Sequence, residues 1–562
     1  MKKKHIAALF LGINAITGII LFTLFILPRS EPGNQLILGL SASRVFVGFI
    51  FLVLLLVNVA AVLITILDLG PRQQELESRL TGFFLSYKSQ VMVILYAVLI
   101  LTGTFLLLAI PPIIRPLSFL EPTSVRLGSF IGWIFLASLS LIIMFRVIAS
   151  STLRGAQIVK QLDEILIVAA LFMAIFILYA QFAALIGWIN KTRYSFWNLL
   201  AEQFVQGKIY LENPLFTHDL TFYKGNWYVP MPPLPAILMM PFAYLTEARN
   251  ISTSYLSMFF SAINGVLLYL ILKQLNKLKW INISTVAIFV LVTIALFGTP
   301  HLWVGISGRA WFVSQIVTLL FLALAIFAAL SSWSAWLVGT FIALAMMARP
   351  NSLMSWPFVF AISMQLLKEN QGKVEFRQMV QWSAKTIPPI ALSIVGLLSY
   401  NYLRFENILD FGYTTLNGDP TIIYNVQTWG TFSPHFILTN LQVMLFKFPW
   451  IHLGGQWPIE PSSIGMSIFL TTPPLIYLFR RYPNQWWIMG AWAAVFFNVA
   501  LLSLYHNTGM HQFGYRYILD FLISLIVLLA VGLGKKIPWH FILLALASVA
   551  INLYGAYWFM NG

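Results

Sequence analysis

Segments such as "FLVLLLVNVAAVLITIL" (51–67) and "VSQIVTLLFLALAIFAAL" (313–330) stay apolar over lengths that, with their flanks, can cross a hydrocarbon layer roughly 30 Å thick. No water is present there to bond the backbone, so each crossing segment must satisfy its own N–H and C=O groups as a helix, or close into a barrel. Barrel strands alternate polar and apolar residues over about ten positions, whereas these runs are continuous. The expected fold class is therefore all-α, a polytopic helical membrane protein, in which 59% of 562 residues are apolar and 9% charged. Hydropathy predicts about fifteen spans, near 6–27, 45–67, 91–110, 128–147, 165–188, 252–273, 281–298, 312–330, 334–348, 351–367, 386–404, 464–479, 486–505, 517–533 and 539–559.

A formal charge of +16 would point to nucleic acid in a soluble chain, but here it is first a matter of sidedness. The expected partner is the lipid bilayer, with no nucleic acid. With a cytoplasmic N-terminus, 20 of the 34 Lys and Arg fall on the inner side and 14 outside, and the short loops carry that bias. The start "MKKKH" precedes an apolar run with no small-residue cleavage site after Leu27, so it reads as a retained first span of a multi-pass cell-membrane protein. The absence of cysteine excludes disulfides, thiolate nucleophiles and thiolate metal sites. Two long outer loops result, 189–251 and 405–463, both rich in Trp, Tyr, Pro and Gly. Residues 1–160 form an expected four-helix extension without a usable motif, ahead of a core over 161–562.

The first of these loops contains "NLLAEQFVQGKIYL" and, further on, "FTHDLTFYKGNWYVPMPPLPA" (216–236). An amphipathic helix ending in a Gly-containing turn, then an acid, then an aromatic-Pro-Pro-Leu segment resembles the first external loop of the GT-C glycosyltransferases. That superfamily includes protein O-mannosyltransferases and the lipid A aminoarabinose transferase. Three later stretches are similar to a bacterial branch of the group: "MMARPNSLMSWPF" (346–358), "YNYLRFENILDFGY" (400–413) and "QFGYRYILDF" (512–521). The resemblance covers roughly 165–560. It implies an inverting glycosyltransferase that moves a sugar from a polyprenyl-phosphate donor to a hydroxyl of a glycan, lipid or protein acceptor at the outer face, with no cofactor. Many members place an Asp-Glu pair just after the preceding span, where this chain reads "NKTRY" (190–194). Asp219, beside the proline-braced and ring-rich part of the loop, becomes the expected catalytic acid, with Glu202 and Glu212 as rivals.

Such a reaction needs a carboxylate to take the proton of the attacking hydroxyl, and cations to stabilise the leaving phosphate. Arg193 matches the arginine that follows the family's acids. Lys224 in "YKGN" is a phosphate contact or simply a turn residue, and His218, Trp227 and Tyr228 flank the acid, Trp227 as a sugar platform. Arg349 stands where Pro350 must break the helix. Arg404 either binds an anion or pairs with Glu406. Arg516, with His511 nearby, opens a span and requires a partner, for which Asp520 is the structural choice. The outer histidines, His301, His435, His452, His506 and His511, show no metal-ligand spacing, so no metal is expected. A lipid or solute transporter or flippase of the cell-envelope glycan pathway explains the spans equally well. It would place ionisable groups at mid-membrane with repeats and broken helices.

Overall fold

The computed structural model describes residues 36–37, 40–41, 153–188, 195–245, 247–248, 251–452 and 457–561. The first four expected spans therefore lie outside the described residues; between the first two, Leu36–Ile37 pairs with Leu40–Ser41 in an antiparallel ladder. The chain divides into two compact units between Ile177 and Leu178, within helix α1 (Leu153–Leu185). The second unit begins at Leu178.

This unit is mainly helical: α2 (Trp197–Val205), α3 (Leu234–Leu245), α4 (Thr253–Lys277), α5 (Thr285–Phe297), α6 (His301–Ser307), α7 (Ala310–Leu330), α8 (Ala335–Ala348), α9 (Trp356–Gln371), α10 (Phe376–Phe405), α11 (Pro420–Trp429), α12 (Ile437–Phe446), α13 (Trp486–Ser503), α14 (Leu522–Gly532) and α15 (Trp539–Asn561). Six helices among the described residues are long and apolar enough to cross a bilayer: α1 over Ile167–Leu185, α4, α7, α10, α13 and α15. The pair α5 and α6, bent by 56° at Thr299–Pro300, would make a seventh. Apolar helices of this kind put the protein in a lipid environment.

Elsewhere the expected spans are broken into shorter pieces, for local reasons. Over 464–479 the helical turn Ile468–Thr471 ends at Thr472, and Pro473 and Pro474 open a 3₁₀ stretch to Leu478. Proline lacks a donor and disfavours the helical conformation in the residue before it. The same rule separates α8 from the 3₁₀ turn Pro350–Ser355, leaving Arg349 with extended backbone between them. Over 517–533 a 3₁₀ turn, Arg516–Phe521, precedes the eleven residues of α14. Serine N-caps start three of the helices: Ser252 accepts from Tyr255 N–H, Ser284 from Ala287 N–H and Ser334 from Leu337 N–H.

At the centre α7 is the most enclosed span, with 83% of its apolar window buried. Two of its hydroxyls turn back on the helix, Ser314 Oγ donating to Ala310 O at 3.2 Å and Thr318 Oγ1 to Ser314 O at 2.7 Å, while Asn264 of α4 donates to Ile316 O at 3.1 Å. Helices α8 and α10 meet over Gly339, where a Cβ would stand 2.6 Å from Thr386 O. Small residues allow such close backbone approach in membranes.

The departure from all-α lies in the two long loops. Strand β1 (Leu220–Tyr223) pairs with β2 (Asn226–Tyr228) in a hairpin, and with β3 (Leu416–Asn417) from the second loop. Lys224 and Gly225 form its two-residue turn with φ of +45° and +85°, the positive values a type I′ turn requires. Thr221 ties the loops again, donating to Gly412 O at 2.6 Å. Beyond β2 the segment from Val229 through Leu234 is buried against α10, where Arg404 donates to Val229 O.

Candidate active site

The helix ends that face the two loops surround a cavity of about 770 Å³, within the range of small-molecule sites. It is lined by His218 and Asp219 before β1, Arg309 and Trp311 at the start of α7, Arg349 after α8, Tyr413 and Asp419 from the second loop, and Tyr505, His506, His511 and Arg516 after α13. Each of these elements contributes the end nearest the loops. The cavity therefore belongs to one end of the helical bundle.

Asp219 sits at the head of β1 with φ +66°, a left-handed conformation that Asp tolerates better than most residues. Its N–H donates to Asn417 O at 2.7 Å, so the β1–β3 pairing fixes its backbone. Trp311 Nε1–H donates to Oδ2 at 3.3 Å, and His218 Nε2 stands 3.8 Å from Oδ1. Burial pushes the carboxyl above the usual Asp range; the His218 charge, the Trp311 N–H and the Arg516 and Arg309 guanidiniums pull it back only in part.

Arg516 is buried, and its donors are met by neutral groups: Nε by Gly509 O and Nη1 by Gln315 Oε1, both at 3.0 Å, and Nη2 by the Tyr517 hydroxyl at 3.5 Å. The guanidinium also lies over the Phe312 and Tyr517 rings. Among the described residues no carboxylate comes within ion-pair distance of it, and the Asp520 and Asp219 charges reach it only from further off, so this buried cation has no directly bonded counter-ion at the cavity. Arg349 is anchored differently, through Nη2 to Asp520 Oδ2 at 3.0 Å. Arg309 precedes α7 and lies over Trp188 and Phe559.

One wall is aromatic. Trp311 and Tyr413 are stacked at 6.2 Å, and His506 leans on both Tyr413 and Tyr505. Burial lowers the His506 imidazole to about 4, so it is neutral at physiological pH. Another wall, from Ile422, Phe432, Leu501, Leu502 and Met510, is apolar.

Of the residues singled out from sequence, the cavity brings together His218, Asp219, Arg349, His511 and Arg516. Arg193 lies outside the described residues. Lys224 is in the hairpin turn and forms an ion pair with Glu406 at 2.5 Å, away from the cavity. Trp227 packs on Phe222, and Tyr228 on Tyr210 and Phe405. Arg404 is buried over the Tyr400 ring and clamps Val229 O, so Glu406 is left to Lys224. Neither rival acid lines the cavity: Glu202 accepts from Ala248 N–H and Glu212 pairs with Lys208. Sequence reasoning passed over Arg309 and Trp311, although "GRAW" immediately precedes an apolar run at the same level as the two loops. No group of three His, Asp or Glu among the described residues could hold a metal ion.

Comparison with known protein families, curated proteins and solved structures finds nothing that matches the chain. The likeness to GT-C enzymes stands on the quoted motifs alone.

Proposed function

We propose that this chain is an integral-membrane inverting glycosyltransferase of GT-C-like architecture, with about fifteen crossings. It moves a sugar from a polyprenyl-phosphate donor to an acceptor hydroxyl of a glycan, lipid or protein at the outer face of the cell membrane. The observation that carries this reading is one cavity holding both a carboxylate raised by burial and a buried guanidinium whose hydrogen-bond partners are all neutral. Asp219 takes the hydroxyl proton, and Arg516, with Arg309 and Arg349, meets the charge that develops on the leaving phosphate. The apolar wall suits the first isoprene units. Orientation is supported by the opposite end of the bundle, where Lys277 closes α4 and Lys368 closes α9, as expected of the cytoplasmic side.

The bent pair α5–α6 is a feature a transporter would share. Neither helix contributes a residue to the cavity, which favours the enzyme. In nanodiscs supplied with undecaprenyl-phosphate-linked mannose, glucose or aminoarabinose and an envelope-glycan acceptor pool, the wild type should release undecaprenyl phosphate, read by mass spectrometry. Asp219→Asn should bind the donor yet turn it over at least ~10²-fold more slowly. Binding and transbilayer movement of the lipid without release would give the transporter reading its place.

A further inference from the structure

A general base on a loop must keep its side chain aimed at the acceptor, with one of its two carboxylate oxygens turned to the proton. Asp219 has its backbone fixed by one hydrogen bond to Asn417, but its side chain is free to rotate unless something holds an oxygen. The neighbours divide the two oxygens. Oδ2 receives the indole N–H of Trp311 at 3.3 Å. Oδ1 faces His218 at 3.8 Å and the backbone of Gly418, where a Cβ would stand 3.6 Å away and occupy the space beside it. Trp311 is the second residue of α7, the most enclosed of the long spans, and its ring is stacked on Tyr413. The N–H is thus mounted on a buried helix and the carboxylate on a loop.

We infer that Trp311 is a positioning residue, whose N–H pins Asp219 Oδ2 and leaves Oδ1 as the lone pair that receives the acceptor's proton. This rests on Asp219 being the general base. In the step it serves, the acceptor oxygen bonds to the anomeric carbon while its proton passes to Oδ1. The anomeric carbon–oxygen bond to phosphate breaks, and its electron pair leaves with the polyprenyl phosphate. The same N–H stabilises the ionised carboxylate, so it counteracts burial and keeps the base deprotonated at lower pH. The other charged groups facing Asp219 are His218 on its own loop, Arg309 at the head of α7 and Arg516 in the 3₁₀ turn.

Trp311→Phe retains an aromatic ring beside Tyr413 and removes the donor together with the pyrrole half of the indole. Two readouts test it on full-length protein whose unfolding midpoint matches wild type. The first is the pH profile of undecaprenyl phosphate release: the rate should fall about tenfold, and the acid limb should move up by about one to two pH units, the scale of one charge-assisted hydrogen bond. The second needs no substrate. A carbodiimide with glycine ethyl ester modifies protonated carboxyls, and the pH midpoint for labelling Asp219, read by peptide mass spectrometry, should rise by the same amount. An unmoved limb and an unmoved midpoint in a folded variant overturn the inference. Failure of the wild type to transfer any sugar removes the glycosyltransferase reading instead, and the labelling midpoint then decides the Trp311–Asp219 contact by itself.

Discussion

Asp219 combines a left-handed backbone, a half-buried carboxyl and a cavity lined with arginines, a concentration of unfavourable local choices that folding stability alone does not explain. Its raised folded-state value has a sign that can be worked out. The folded protein holds the proton to higher pH than the unfolded chain, so Asp219 favours the fold fully below the ordinary carboxylate value, and that contribution is lost as pH rises through the raised one. Above the raised value the ionised carboxylate is therefore a cost, and Asp219→Asn should unfold there at the same temperature as wild type or above it while transfer collapses. A calorimetric scan beside the release assay checks both halves; lost stability with retained transfer would remove Asp219 from the chemistry. Glu202→Gln and Glu212→Gln, outside the cavity, should leave transfer near wild type. Arg516 is the complementary case. Arg516→Lys keeps the charge but loses the fork that reaches Gln315 and Gly509, so undecaprenyl phosphate should bind about tenfold more weakly by native mass spectrometry.

Between elements, the site depends on two joints. The first is the pairing of β1 with β3, which carries Asp219 and Asn417 together and makes one sheet of two loops separated by roughly two hundred residues. The second is the close packing of α8 on α10, which fixes the level at which Arg349 leaves α8. Gly339→Ala must push Thr386 backbone away, a strain of about 1–3 kcal/mol, and should lower the unfolding temperature. Gly396→Ala, on α10 with nothing within 4 Å of its would-be Cβ, should be neutral or slightly stabilising because alanine is the better helix former. Equal midpoints for the two variants would mean that the α8–α10 contact is looser than its geometry indicates.

For the whole molecule the decisive quantity is sidedness. The chain contains no cysteine, so single cysteines report cleanly. Asn226→Cys in the hairpin should react with an impermeant maleimide in intact cells, and Asn370→Cys, exposed near the end of α9, only after lysis. The reversed pattern would turn the cavity toward the cytoplasm and exclude an outer-face acceptor.

Which properties were legible in the chain follows from the range of the forces involved. Membrane helices are dictated by local composition, because a segment in hydrocarbon must bond its own backbone whatever its neighbours do. The helices α4, α7, α13 and α15 accordingly lie where apolar runs alone place them. Proline acts equally locally, so the break at Arg349–Pro350 was readable too, and the one at Pro473–Pro474 was equally local although hydropathy runs through it, whereas the 3₁₀ turn Arg516–Phe521 has no proline to mark it. Charge partners are another matter. Arg404 and Glu406 are neighbours in sequence, yet Glu406 pairs with Lys224 and Arg404 with the Val229 carbonyl, because helix α10 ends between them and turns the two side chains apart. The carboxylate at 219 is held by an indole at 311 and a carbonyl at 417, and the guanidinium at 516 by an amide at 315. Sequence alone settled that this chain is a helical membrane protein with its polar chemistry gathered in a few loops. Only the tertiary structure decided which of those residues share a cavity, since that depends on contacts between segments whose separation along the chain no local rule can read.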